Sequence, residues 1–124
     1  MTNTQDLALA IAGGIGSAIA IVHGVLTQRL IVRPLEGAAK LPRSTRQLAA
    51  MLLQFSTFNW FIGGLALIIA AFAPGRDVKL AVGLLVGSSY LYGAAGNFIA
   101  ARGRHPGWIF YGVALALTAY ALFR

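Results

Sequence analysis

Between Gln47 and Ala73 no residue carries a formal charge. Wound into a helix at ~1.5 Å per residue, that stretch exceeds the ~30 Å hydrocarbon core of a bilayer. In lipid every backbone N–H and C=O must be bonded internally, so such a run has few options besides a membrane-crossing helix. Yet it contains Gln54, Ser56, Thr57 and Asn59, followed by Gly63-Gly64. Polar side chains at membrane depth are costly unless something satisfies them. The natural partners are other helices of the same chain.

Composition extends this to the whole molecule. The chain has 124 residues, 58% hydrophobic and 10% charged, where a soluble domain carries about 25% charged residues. That length holds four spans with short links. The expected fold is therefore all-α: one domain, an antiparallel bundle of four transmembrane helices over residues 7–28, 48–73, 78–101 and 107–123. Met1 to Asp6 lack Lys and Arg, and the apolar run behind them is too long for a signal-peptide core. The reading is a retained first helix.

Small residues mark the helix contacts. Gly13 with Ser17, and Gly16 with Ala20 and Gly24, recur four apart in helix one, a spacing that admits close backbone approach. In helix two, Ser56, Asn59, Gly63, Ala66 and Ala70 share one face, which should turn into the bundle. Helix three has Gly83 and Gly87, then Gly93, Gly96 and Ala100. Residues 33–47 read as a polar link punctuated by Pro34, Gly37 and Pro42, with Ser44 as a helix cap. Pro74-Gly75 is a tight turn, and Pro106 suits the first turn of helix four. Trp108 and Tyr120 near the two ends of that helix fit an aromatic belt.

The net charge is +7. In a soluble protein this would suggest nucleic acid; here the basic residues lie between apolar runs, and no nucleic-acid partner is expected. Arg29, Arg33, Lys40, Arg43, Arg46, Arg102 and Arg104 fall in or beside the first and third links, against Arg76, Lys79 and Arg124 elsewhere. The positive-inside rule then places those two links in the cytoplasm and both termini outside, in a multi-pass protein of a bacterial inner (plasma) membrane. Arg29, Arg33, Lys40, Arg43 and Arg46 should also attract anionic lipid head groups.

Missing chemistry narrows function further. There is no cysteine, and the only acids, Asp6, Glu36 and Asp77, lie outside the spans. Proton-coupled carriers that rely on a membrane carboxylate, such as the small multidrug exporters, are excluded. His23 is the one ionisable residue deep in a span. His105, the only other histidine, falls in the third link, so no bis-histidine metal or haem site is expected. A dyad of His23 with Ser56, Ser88 or Ser89 lacks any sign of an activated nucleophile. No catalytic residue, metal or cofactor is therefore expected. His23, Gln54, Asn59, Tyr92 and Asn97, with Tyr111, could instead form a polar layer toward one side of the membrane. Such a layer either bonds helices together or binds a polar ligand.

Two short stretches resemble the small fluoride channels: Gly13-Gly14-Ile15-Gly16 opening helix one, and Phe55-Ser56-Thr57-Phe58. In that family the Ser-Thr-Phe stretch breaks the third helix; here it lies in the second. The basic residue that follows the early glycines there has no counterpart here, so no site is carried over.

Two functions stay open. One is a non-catalytic binding or assembly protein that pairs with lipid, with itself or with a larger membrane complex. The other is an oligomeric channel or carrier for a small neutral or anionic solute around His23 and Asn59. An enzyme acting on a lipid or quinone has the least support.

Overall fold

The computed structural model describes residues 3–124, all-helical apart from short links. Four helices form an antiparallel bundle: α1 (Asn3–Glu36), α2 (Arg43–Phe72), α3 (Arg76–Ala100) and α4 (Gly107–Phe123). The first three are long and apolar enough to cross a membrane. The 17 residues of α4 span only about 25 Å.

α1 runs further than its sequence suggests, continuing through Pro34. In a regular helix the proline ring would strike the carbonyl four residues back. The chain avoids this by widening into a π turn over Gln28–Val32, where the Arg33 N–H bonds the Gln28 carbonyl. The polar link therefore shrinks to residues 37–42. Arg33 and Arg43 ride on helix ends. Arg46 donates from its guanidinium to the Ala38 carbonyl at 3.2 Å and ties the link down. Ser44 does not cap: Pro42 occupies the N-cap of α2 and no side chain bonds there.

Gly75 turns α2 into α3 at φ 101°, a conformation open to glycine but not to residues with a Cβ. The third link is longer. Arg102 and Gly103 both adopt positive φ, 49° and 71°. The Gly103 N–H returns to the Phe98 carbonyl at 2.9 Å, closing the end of α3. Trp108 then donates to the Gly103 carbonyl at 3.3 Å and sets its ring edge-on to Phe98.

Packing is uneven around the bundle. α1 lies against α2 over the largest contact, α3 against α4 and α1 against α4 come next, and α2 against α3 is the smallest contact between adjacent helices. The α1–α2 seam is backbone on backbone. A Cβ on Gly13 would run into the Gly64 carbonyl, and one on Gly64 into the Gly13 carbonyl. Ser17 donates to the Phe61 carbonyl at 3.1 Å on the same seam. Close approach of this kind is how helices gain dispersion energy in lipid, where no hydrophobic drive operates.

That seam sets the rotation of α2. The residues it buries are Trp60, Gly64, Leu67 and Ala71, together with Ala70. The small polar face expected to turn inward is thus rotated by roughly one residue, about 100°, and Asn59 is exposed. Trp60 takes the centre instead. Its ring meets His23 edge-on at 4.8 Å and Tyr111 at 4.6 Å, and Tyr111 meets Tyr90 at 5.6 Å. Tyr90 is wholly buried and crosses the bundle diagonally, its hydroxyl against Gly16.

At the end opposite the first and third links, Lys79 is buried and pairs with Asp6 at 2.6 Å. One of the few basic residues at that end is thus neutralised within the fold.

Candidate functional site

The polar residues expected to form one layer divide among three places, with His23 shared by two of them. The first is the α1–α2 seam. Gln54 donates to the Gln28 side-chain oxygen at 3.0 Å and to the Gly24 carbonyl at 3.3 Å. Nearby, His23 Nε2 lies 3.3 Å from the Thr27 hydroxyl and 3.4 Å from that of Ser56. Ser56 spends its proton on the Leu53 carbonyl at 2.8 Å.

The second place is a groove between α2 and α3 of about 350 Å³, with Asn59, Trp60, Gly63, Val86, Ser88 and Ser89 among its lining. The Asn59 carboxamide donates to the Ser89 hydroxyl at 3.2 Å, and the pair is exposed. Both residues lie near the middle of their helices, so this pair sits at the mid-plane of a bilayer the bundle would cross. Gly63 keeps the floor low: a Cβ there would press on Val86 at 3.3 Å.

The third place is a pocket of about 110 Å³ between α1 and the start of α4, at the end of the bundle that carries the basic links. His23 and Asn97 meet there, as two of the expected site residues. His105, Gly107 and Tyr111 join them. Sequence reasoning placed His105 apart from His23, at the membrane surface. The folded third link brings its ring to the same pocket, because the positive-φ turn at Arg102 and Gly103 and the Trp108 bond fold the link back onto the bundle. Asn97 donates to the Gly93 carbonyl at 2.8 Å, and the Gly107 N–H donates to His105 Nδ1 at 3.1 Å.

Tyr92 joins none of these; it is 79% exposed on the outer face of α3. Three buried hydroxyls, those of Thr57, Tyr90 and Tyr111, have no hydrogen-bond partner among the described residues. Of the head-group candidates, Arg29, Arg33, Lys40 and Arg43 are exposed, while Arg46 is half-buried. Among the described residues no three His, Cys, Asp or Glu side chains cluster as metal ligands would. The chain matches no protein-family model, no curated protein and no solved structure at a significant level.

Proposed function

We propose that this is a non-catalytic, multi-pass protein of a bacterial inner membrane that works by assembly, pairing with a second copy of itself through the α2–α3 groove. The basic end faces the cytoplasm and both termini lie outside, as the distribution of Lys and Arg implies. The exposed Asn59–Ser89 pair carries the reading. A carboxamide and a hydroxyl have more donors and acceptors than one mutual bond uses. Acyl chains cannot meet that remainder, whereas a helix with a polar group at the same depth can. A two-fold axis along the membrane normal brings a second Asn59 to that depth automatically. The glycine-floored groove lets the partner helix come close. Arg29, Arg33, Lys40 and Arg43 would hold anionic lipid around such a dimer at about 1 kcal/mol each.

The alternative, a channel or carrier for a small neutral or anionic solute, needs His23 and Asn59 on one path. Trp60 stands between them, 7% exposed, touching His23 and lining the Asn59 groove. That arrangement favours assembly over transport.

Native mass spectrometry from nanodiscs tests the proposal. The wild type should appear as a dimer and Asn59→Leu as a monomer. The chain has no cysteine, so Ser88→Cys, in the exposed groove wall, should crosslink two copies under mild oxidation. A wild type that stays monomeric at every protein-to-lipid ratio, with no Ser88→Cys crosslink, would remove the dimer. Anion or solute flux in liposomes that Asn59→Leu abolishes would put the transport reading in its place.

A further inference from the structure

We infer that the cleft between the first turns of α1 and the end of α2 is a binding site for a phosphoethanolamine group, carried by a lipid or free. It lies at the end of the bundle opposite the basic links, away from the proposed dimer groove, and stands or falls independently of that groove.

The cleft holds about 520 Å³, with Asn3, Asp6, Leu7, Phe72, Ala73 and Lys79 among its lining. Its two charged residues are the buried ion pair. Lys79 Nζ donates to Asp6 Oδ1 at 2.6 Å and to nothing else among the described residues. An ammonium has three protons, and this bond uses one. The Lys79 side chain is only 9% exposed, so water reaches the other two protons poorly. Leaving a buried charged donor unmet is costly, and a ligand in the cleft would supply the missing acceptors. Asp6 lends one oxygen to Lys79 and still has accepting capacity at the other.

Charge selects the ligand. The pair is neutral as a whole: a lone anion at Lys79 would also meet Asp6, and a lone cation at Asp6 would also meet Lys79. A group carrying both charges answers each. Its phosphate oxygens accept from Lys79, and its primary ammonium donates to Asp6. A trimethylammonium has the same charge but no N–H to give. Asp6 is the more exposed of the two, as the terminal ammonium of a head group requires. Beside the pair, Leu7 and Phe72 are largely exposed and form an apolar rim. A lipid would lay its chain along that rim, whereas free phosphoethanolamine would use the polar part alone. The volume exceeds what a lone ion needs and admits a head group with its glycerol.

The test reads the adducts retained in native mass spectrometry of the full chain. One arm uses nanodiscs of phosphatidylethanolamine, phosphatidylcholine and phosphatidylglycerol in equal amounts with identical acyl chains. The wild type should retain phosphatidylethanolamine about tenfold over either of the others, the gain of a charge-assisted hydrogen bond. The other arm adds glycerophosphoethanolamine to phosphatidylcholine discs. An adduct of its mass identifies the free group; phosphatidylethanolamine retained without that adduct identifies the lipid. Asp6→Asn removes the partner of the ligand ammonium and should abolish both signals. That change also strands Lys79, so a second variant leaves the pair intact. Ala73→Trp fills the cleft from its half-buried wall and should have the same effect. Arg76→Gln, exposed at the same end and outside the cleft, should bind as the wild type does. Equal retention of the three lipids with no soluble adduct, a preference for phosphatidylglycerol, or signals that survive both Asp6→Asn and Ala73→Trp overturn the inference. Loss of the signals in Arg76→Gln overturns it too, since that would mean surface charge and not a site.

Discussion

Gly13 and Gly14 are neighbours on one helix, and alanine at each should have opposite consequences. Both positions are helical, so the intrinsic gain of Gly→Ala, about 1 kcal/mol, is the same for both and cancels in the comparison. What differs is the space a Cβ would enter. At Gly14 there is nothing within 4 Å. At Gly13 the new carbon meets the Gly64 carbonyl, Ile68 Cγ1 at 2.8 Å and the Ile68 amide nitrogen at 3.0 Å. Backbone atoms cannot rotate aside, so α1 and α2 must separate by roughly 1 Å, and a gap of that size forfeits a quarter to a half of each dispersion contact. Overpacking of this kind costs about 1–3 kcal/mol. The Ser17 bond to the Phe61 carbonyl, on the same seam, adds about 0.6 kcal/mol when stretched. Gly13→Ala should therefore be less stable than Gly14→Ala by about 3 kcal/mol. Reversible unfolding in bicelles, by steric trapping or by titration with a denaturing detergent, measures the difference directly. If the two variants agree within about 0.5 kcal/mol, the close crossing of α1 and α2 is wrong, and the reasoning about the rotation of α2 goes with it.

The Lys79–Asp6 pair should respond asymmetrically: Asp6→Asn strands an ammonium that is only 9% exposed and should cost about 3 kcal/mol, while Lys79→Met leaves an acid that is 27% exposed and should cost about 1 kcal/mol or less. Equal losses in the two unfolding curves would show that Lys79 reaches water. Tyr90→Phe should raise stability by about 1 kcal/mol, since it deletes a buried hydroxyl with no partner among the described residues; a clear loss in the same assay would reveal a partner for that oxygen.

The helices themselves were legible from residue order. Each uncharged apolar run can satisfy its backbone in lipid only by coiling; Pro74-Gly75 marks where one helix stops and Pro106 where the last begins. The extension of α1 past Pro34 was not legible, because a π turn is a local remedy that leaves no pattern in composition. Neither was the rotation of α2. The face carrying Ser56, Asn59 and Gly63 and the face carrying Trp60, Gly64 and Leu67 are both plausible inward faces, one small and polar, the other large with a glycine gap. Only the meeting of Gly64 with Gly13 chooses between them, since that contact joins residues far apart in the chain.

The candidate sites follow the same division. Residue types alone mark His23, Gln54, Asn59 and Asn97 as polar groups that need partners in hydrocarbon, and they place the basic residues beside two of the links. Which partner each finds depends on helix order and rotation. Gln54 is consumed by Gln28 and Gly24, Asn59 turns out to a groove with Ser89, and Tyr92 faces away. His105 comes to the pocket of His23 because Arg102 and Gly103 take positive φ and fold the third link back. Sequence determines that a polar group must be satisfied, because the bilayer offers it nothing. Tertiary structure decides by whom, because a hydrogen bond acts over about 3 Å and only packing brings distant segments that near.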